Sequence, residues 1–164
     1  FSQYAQRTMK KLSANGVFLN SGTAECPNSM TIGWGTIGVV WGKPIFTVYV
    51  RYSRHTYELI DKSNQFTVSV PLEKSMKKEL GICGSKSGRN IDKFKECGMT
   101  AITGRKVSTP IIKECELHYE CRVVYKQAME PSLINEEIDQ RFYGNNDFHV
   151  IYYGEIVDCY LNKA

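Results

Sequence analysis

Short apolar runs, separated by glycine, proline or polar clusters, are the dominant pattern of this chain. They are rich in β-branched and aromatic residues and have the length of strands, so they predict β-structure. From Leu117 to Val123 apolar residues stand at every second position, which is the period of a strand with one buried face. The predicted strands are Val17–Ser21, Thr31–Trp41, Ile45–Val50, Phe66–Val70, Glu114–Lys126 and His149–Leu161, the last broken by Gly154.

Helical signals are fewer and shorter. The first predicted helix has Ser53 or Thr56 as its N-cap, and the second ends at Gly81. The predicted helices are Thr56–Ser63, Lys74–Leu80, Asn90–Cys97 and Glu136–Phe142. Because these helices do not alternate regularly with the strands, the order argues against a doubly wound parallel sheet. We predict one domain over residues 1–164, mainly β with short helices, built as a closed or nearly closed antiparallel barrel.

A turn-rich stretch, 22–29, precedes the longest predicted strand, and glycines interrupt that strand at positions 33, 35 and 38. Glycine weakens a strand unless the backbone must bulge or let another group approach closely. Residues 28–31 add small and hydroxyl side chains. Together with the glycines, they would let a flat polar ring lie against exposed backbone N–H and C=O groups. A bulged strand at a barrel corner explains the same pattern equally well, and both interpretations stay open.

Charge and cysteine usage narrow the class of protein. The net charge of +4 suits an anionic small molecule but is far from the dense basic stripe of a nucleic-acid binder. None of the six cysteines belongs to a C-x-x-C motif or is spaced with histidines as a zinc site requires, so we expect no metal site. We also expect the thiols to be reduced and mostly buried, which indicates a cytoplasmic protein.

No leader of charged and then apolar residues begins the chain, and no apolar run approaches the ~18–20 residues of a membrane span. We therefore expect no membrane segment. Because the chain begins with Phe1, we also expect its true start to be missing.

The junction from Arg51 to Glu58 places two arginines and several hydroxyls between a strand and a helix. Unpaired N–H groups at a helix start and a bidentate arginine favour an anion, so the junction predicts a phosphate site. The loop Ser85–Arg89 precedes another helix and has the composition of an anion-binding nest. The sequence of the junction is also typical of a capped helix with solvated arginines. The sequence of the Ser85–Arg89 loop is also typical of an ordinary surface turn. Neither a Rossmann G-x-G-x-x-G in its required context nor a Walker loop is present.

Five segments in series resemble the flavin reductase-like family, and in particular its short flavoredoxin-like members. The segments are 28–35, 41–44, 50–58, 83–93 and 149–157. The resemblance implies an FMN-binding split β-barrel of antiparallel Greek-key type, working as a homodimer with the flavin near the subunit interface. One departure is Tyr52, where relatives are expected to carry proline.

By position, the resemblance implies that Thr31 to Trp34 meet the isoalloxazine ring, that the 51–56 junction holds the phosphate, and that the loop after Cys83 closes the site. The implied cofactor-binding residues are Asn28, Met30, Thr31, Ile32, Gly33, Trp34, Arg51, Ser53, Arg54, Thr56, Tyr57, Cys83, Ser87, Gly88 and Arg89. For Cys83 the favoured alternative is a small buried hydrophobe. His149 is placed to reach a nicotinamide or the neighbouring subunit.

The function that this resemblance implies is an FMN oxidoreductase, most directly a flavin reductase that uses NADH or NADPH as transient electron donor. A flavoredoxin-type electron carrier with a redox protein partner and no reductase activity of its own is the alternative. A binding module for another phosphorylated ligand is a third possibility. Because the flavin supplies the chemistry, no catalytic side chain is predicted.

Overall fold

The computed structural model describes residues 1–162, so the last two residues of the predicted 1–164 domain lie outside it. The strands are β1 (Val17–Gly22), β2 (Pro27–Ile32), β3 (Gly35–Val40), β4 (Lys43–Arg51), β5 (Gln65–Val70), β6 (Ala101–Thr103), β7 (Pro110–Ile112), β8 (Leu117–Ala128) and β9 (His149–Leu161). The helices are α1 (Ser2–Ala14), α2 (His55–Ser63), α3 (Lys77–Ser85), α4 (Lys93–Cys97) and α5 (Glu136–Phe142), with a 3₁₀ turn at Pro131–Leu133.

Seven strands form one antiparallel sheet in the order β2-β1-β5-β8-β9-β4-β3. Its two edge strands, β2 and β3, are consecutive in the chain and are joined only by Gly33 and Trp34. In a flat sheet of seven strands the edges would lie ~29 Å apart, whereas this link spans at most ~11 Å. The sheet must therefore curl until its edges meet, which confirms the predicted antiparallel barrel.

Three of the six neighbouring pairs in this sheet join strands that are distant in the chain: β1 with β5, β5 with β8, and β4 with β9. Such long returns are the mark of Greek-key connections. β6 and β7 pair with each other in a separate two-stranded ribbon. Each has only three residues, so the sequence pattern gives no signal for them.

The predicted single strand Thr31–Trp41 is wrong, because β2 and β3 lie at opposite edges of the sheet. β2 begins at Pro27, inside the stretch predicted as turn. The hairpin to β4 turns at Trp41 and Gly42, both with positive φ (55° and 68°). Two positive φ values are typical of the type I′ turn, whose twist matches that of the flanking strands.

Two hydrophobic cores stabilise the domain. The larger fills the barrel and includes Val17 and Leu19 of β1. The smaller lies against the outside of the barrel, where residues of α3, α4 and β7 pack on Phe18. β1 is thus buried on both faces, which explains why it begins with three consecutive apolar residues.

α1 packs on the barrel, although the hydrophobic pattern predicts no element there. Only Thr8 and Leu12 of this helix are buried. Leu12 joins the larger core, and the hydroxyls of Thr8 and Tyr119 share a buried hydrogen bond of 2.8 Å. Tyr4 also packs on this core but is only partly buried. With a polar residue at the buried position 8, the helix shows no recognisable apolar period.

The other helices are close to the prediction, with shifted ends. α5 has the predicted bounds, but α3 continues through Gly81 to Ser85, and α4 begins at Lys93 with Asp92 as its cap. The N-cap of α2 is Arg54 rather than Ser53 or Thr56, and no side chain caps this helix.

Gly154 does not break β9, contrary to the prediction. A Cβ atom there would lie 2.4 Å from Cζ of Phe66 and 2.8 Å from Cβ of Cys121, both in the barrel core. The glycine therefore lets the Phe66 ring lie directly against the backbone of β9. At Gly38 of β3, by contrast, an added Cβ would meet nothing within 4 Å.

We expect Gly154→Ala to lower the free energy of unfolding by about 1–3 kcal/mol, because the added methyl overpacks a core without room for it. Gly38→Ala is the matched control, also in a strand of the same sheet, and should change stability by less than about 0.5 kcal/mol. Urea denaturation followed by circular dichroism measures both. Equal stability of the two variants would contradict the close approach of Phe66.

Candidate functional site

Two neighbouring pockets lie where the link between β2 and β3 meets the end of β4 and the start of α2. The strand pocket has a volume of about 170 Å³ and is lined by Met30, Thr31, Ile32, Gly33, Trp34, Tyr49, Arg51, Arg54 and His149. The loop pocket has a volume of about 310 Å³ and is lined by Asn28, Met30, Ser53, Arg54, His55, Thr56, Cys83, Gly84, Lys86, Ser87, Arg89, Asn90 and Lys93. Because Met30 and Arg54 line both, the two pockets adjoin and form one cleft.

The cleft brings together three segments that are far apart in the sequence: β2 with its link, the β4–α2 junction, and the loop after α3. Every residue of the predicted cofactor set lines one of the two pockets except Tyr57 and Gly88. Tyr57 packs against the barrel core and edge-on to the Tyr52 ring at 5.0 Å, so its side chain is committed elsewhere. Contact of the lining residues with a cofactor stays a prediction.

The strand pocket has an aromatic wall beside the β2–β3 link. The Trp34 ring is 42% exposed and lies 5.1 Å from the rings of both Phe142 and His149. Tyr49 faces the same histidine at 6.2 Å. A wall of rings that keeps one large exposed face can accept a flat apolar or aromatic group.

His149 is a neutral part of this wall. The hydroxyl of Tyr143 and Nδ1 of His149 share a hydrogen bond of 2.8 Å. Burial, assisted by the nearby charge of Arg51, lowers the pKa of His149 to about 4. At pH 7 the imidazole is therefore uncharged and is available as a hydrogen-bonding group rather than a cation.

Arg51 lines the strand pocket together with Arg54, whereas Ser53 and Thr56 line only the loop pocket. Its guanidinium donates to the carbonyl oxygens of Asp147 and, at 2.9 Å, of Phe142. It also lies 5.2 Å from the centre of the Tyr143 ring. Arg51 thus ties the 142–147 segment to the end of β4, and its predicted contact with a phosphate stays a prediction.

Ser53 is held by the same segment. Its hydroxyl donates to Oδ2 of Asp147 at 2.6 Å, and its backbone N–H donates to Oδ1. Tyr52 uses its N–H to bond the carbonyl of Phe148 at 3.3 Å, which a proline at this position could not do. The junction is thus ordered by side-chain and backbone bonds.

Arg54 stands at the boundary between the two pockets and at the N-cap of α2. Among residues 1–162 its guanidinium has no hydrogen-bond or ion-pair partner, unlike those of Arg51 and Arg89. The backbone N–H groups in the first turn of α2 lie next to it without a side-chain cap. A free guanidinium beside an uncapped helix start is a favourable place for an anion.

Asn28 and Thr56 connect β2 to the first turn of α2. The amide of Asn28 donates to Oγ1 of Thr56 at 2.9 Å and to Oγ of Ser21 at 3.1 Å, and its Oδ1 is buried without a partner. A Cβ at Gly88 would lie 2.1 Å from that Oδ1. Gly88 therefore lets the loop after α3 rest directly on Asn28.

Arg89 fastens the same loop to α2. Its guanidinium donates to the carbonyl of Ser53 at 2.9 Å and to Oε1 of Glu58 at 2.8 Å. The hydrogen bond from Arg89, with a second from His55, lowers the pKa of Glu58. The hydroxyl of Ser87 accepts from the backbone N–H of Arg89 and shapes the turn. Arg89 therefore closes the loop pocket mainly by holding its wall.

Lys93 is the main residue of the cleft that the sequence prediction missed. It is 4% exposed, and its Nζ donates to the carbonyls of Ser29 at 2.8 Å and Cys83 at 3.0 Å. Burial lowers its pKa. A lysine on a five-residue helix gives no sequence signal that it points inward. The other lining residues absent from the predicted cofactor-binding set are Tyr49, His55, Gly84, Lys86, Asn90 and His149.

Cys83 lies on α3 rather than in the loop predicted to contain it. Its side chain is buried in the smaller core, and burial raises the pKa of its thiol to about 12. Both features agree with the alternative that Cys83 is a small buried hydrophobe which also reaches the pocket wall.

The cleft is strongly biased toward anions. In the part of the chain that the structure describes, no aspartate or glutamate lines either pocket, whereas two arginines line the strand pocket and two arginines and two lysines the loop pocket. Within residues 1–162, no cluster of His, Cys, Asp or Glu is arranged to hold a metal ion, and no helix is long and apolar enough to cross a membrane.

Comparison with known proteins finds related sequences and related solved structures. An uncharacterized protein of Archaeoglobus fulgidus is 34% identical over 100 residues, which cover 61% of this chain and 55% of that protein. This chain thus spans little more than half the length of that relative.

Solved structures share the fold. A flavoredoxin from Methanosarcina acetivorans matches with a TM-score of 0.69 and 29% identity, covering 90% of this chain and 69% of its own. An FMN-binding protein from Thermus thermophilus matches with a TM-score of 0.68 and 21% identity, covering 91% of this chain and 72% of its own.

The flavin reductase like domain family matches residues 9–164, nearly the whole chain. The match includes both edge strands of the barrel, their two-residue link and all three segments that build the cleft. The chain therefore belongs to the flavin reductase-like family, and its fold is that family's split β-barrel.

Proposed function

We propose that this protein binds FMN in the cleft and acts as an FMN-dependent oxidoreductase, with NADH or NADPH as its transient electron donor. The observation that carries the proposal is the unpartnered guanidinium of Arg54 between an aromatic pocket and a cationic one. A ligand with a flat ring at one end and a phosphate at the other matches that arrangement. Family membership and the FMN-binding Thermus thermophilus neighbour support the same assignment.

The donor set fits this ligand in detail. Trp34 and Tyr49 offer an aromatic wall for the ring, next to the backbone of the β2–β3 link. Arg54 and the uncapped first turn of α2 offer donors for a phosphate. Asn28 and Thr56 line the loop pocket and offer polar side chains beside a hydroxylated chain between ring and phosphate.

Bound FMN would supply hydride and single-electron transfer, and the protein would supply position and electrostatics. Arg54 anchors the phosphate end. The ties made by Arg51 and Arg89 keep the two pockets at a fixed separation. His149, neutral at pH 7, offers a hydrogen bond beside the ring without placing a positive charge there.

Replacing Arg54 by alanine should weaken FMN binding by about 1.5–3 kcal/mol, because a charge-assisted hydrogen bond to the phosphate is lost. Riboflavin, which has no phosphate, should lose much less affinity. Arg7→Ala is the control, since Arg7 is exposed and paired with Glu73 on the surface. Flavin fluorescence quenching measures all affinities, and equal losses for FMN and riboflavin would contradict the phosphate assignment.

The reductase assignment predicts that NADH or NADPH bleaches the absorbance of protein-bound FMN at a catalytically useful rate. Anaerobic stopped-flow spectroscopy with each nucleotide measures this directly. Free FMN at the same concentration is the control for direct reduction in solution. If neither nucleotide bleaches the bound flavin while a ferredoxin-like donor does so rapidly, the reductase assignment is wrong.

That outcome would favour the second candidate, a flavoredoxin-type electron carrier. The specific observation behind it is the flavoredoxin of Methanosarcina acetivorans, at 29% identity over most of this chain. The exposed part of Trp34 next to the strand pocket gives a partner protein direct access to the cleft. A purified protein that is colourless and takes up no FMN would contradict both candidates.

We also propose that the protein forms a homodimer through an aromatic surface made by the turn between β3 and β4 and by strands β8 and β9. Trp41 is 61% and Tyr125 44% exposed, and their rings lie 5.9 Å apart. Tyr153 completes the cluster at 5.3 Å from Tyr125. Exposed aromatic patches of this kind mark protein interfaces more often than free surfaces.

Tyr125→Glu should convert the dimer to a monomer, because it buries a charge at the centre of the aromatic surface. Ile102→Glu on β6 is the control, since Ile102 has similar exposure (39%) outside this surface. Size-exclusion chromatography with light scattering measures the mass of each. A wild-type monomer, or a Tyr125→Glu dimer, would contradict the proposed interface.

A further inference from the structure

A third cavity adjoins the loop pocket. This outer pocket has a volume of about 510 Å³. Within residues 1–162 it shares no lining residue with the strand pocket, so it lies beyond the loop pocket, at the end where the phosphate is proposed to bind. Five residues line both cavities and form the boundary between them: Asn28, His55, Arg89, Asn90 and Lys93. A ligand longer than FMN can reach the outer pocket only across this boundary.

Arg89 spans the boundary. Its guanidinium reaches from the loop after α3 to α2, where it donates to the carbonyl of Ser53 at 2.9 Å and to Oε1 of Glu58 at 2.8 Å. Nδ1 of His55, a second boundary residue, lies 3.3 Å from Oε2 of the same glutamate. Glu58 thus fastens two of the five boundary residues. The ion pair of Arg89 and Glu58 is called the bridge below.

The positive excess of the cleft ends at this boundary. Two arginines and two lysines line the loop pocket, as described above. The outer pocket adds the carboxylates of Glu25 and Asp92, which equal its lining arginine and lysine in number. Its arginine, Arg89, is already paired with Glu58. Hydrogen bonds from Arg89 and His55 lower the pKa of Glu58, so this carboxylate is ionised at pH 7.

We propose that the bridge makes the cleft selective for FMN against FAD, an inference that rests on the proposed function. FMN ends in the phosphate that the loop pocket is proposed to hold. In FAD the same phosphate carries a second phosphate and an adenosine, which have to pass the bridge. FAD must therefore break the charge-assisted hydrogen bond between Arg89 and Glu58, or bring its second phosphate against carboxylates. FMN requires neither change.

Apolar side chains in the outer pocket do not make it an adenosine site. Pro27, Leu59 and Ile91 line it and are half-buried, so an adenine ring can lie against them. The ring reaches them only after the diphosphate has crossed the boundary, where Glu58 is ionised and Glu25 and Asp92 lie beyond. Repulsion aimed at a competing ligand is a common source of specificity, and these charges favour exclusion of the longer flavin.

Isothermal titration calorimetry with FMN, FAD and riboflavin tests the proposal. The wild type should bind FMN at least about tenfold more tightly than FAD, a ratio that calorimetry resolves easily. Riboflavin has no phosphate, so its affinity depends on the ring end of the cleft alone. It is therefore the reference that shows whether the cleft of each variant is intact.

Two variants separate the charge from the bridge. Glu58→Gln keeps an acceptor for Arg89 but removes the charge, and should shift the ratio of the two affinities about threefold toward FAD. Arg89→Ala combined with Glu58→Gln removes the bridge without changing the net charge, and FAD should then bind within about twofold of FMN. Arg7→Ala combined with Glu73→Gln is the matched control. It removes an exposed Arg–Glu pair of 2.6 Å elsewhere on the surface and should keep the wild-type ratio.

Equal affinities of the wild type for FMN and FAD would overturn the proposal, and so would a double variant that keeps the full preference for FMN. If the double variant also loses riboflavin, its loop has collapsed, and Glu58→Gln decides alone, since an unchanged ratio in that variant overturns the proposal. A wild type that binds neither FMN nor riboflavin would contradict the proposed function instead.

Discussion

The two-residue link between β2 and β3 is the constraint on which the rest of the structure depends. It joins strands that occupy opposite edges of a seven-stranded sheet, so the sheet cannot stay open. Closing the barrel brings Gly33 and Trp34 to the seam, where the end of β4 and the start of α2 also lie. The cleft is therefore a product of barrel closure, and its position follows from the shortness of one connection.

Around this seam, the cations have unequal roles. Arg51 and Arg89 are bound by carbonyls or a carboxylate, and Lys93 by two carbonyls, so they hold β4, the loop after α3 and α4 in place. Arg54 has no such partner among the residues that the structure describes. These three cations build the cleft and keep its potential positive. Lys86 is paired with Glu96, and Arg54 is left to meet a ligand.

Much of this arrangement follows from the sequence, and the exceptions have physical reasons. Alternation along β8 and the apolar run of β4 predict strands because burial dictates residue type there. The sequence of Thr31–Trp41 does not show that this segment forms parts of two strands. Both halves have the composition of strands, and only the order of strands in the sheet separates them. Motif resemblance locates the cleft, yet it cannot distinguish Arg51, bound to carbonyls, from Arg54. Lys93 was missed because its inward direction depends on packing of α4 against β2 and α3.

We propose that FMN lies along the seam, with its ring beside the β2–β3 link and its phosphate at Arg54. A crystal structure of the protein grown with FMN would locate both ends of the ligand. We expect ring density against Ile32 to Trp34 and phosphate oxygens within hydrogen-bond distance of the Arg54 guanidinium and the first turn of α2. Density for FMN outside the cleft, or with its phosphate at the strand pocket, would contradict it.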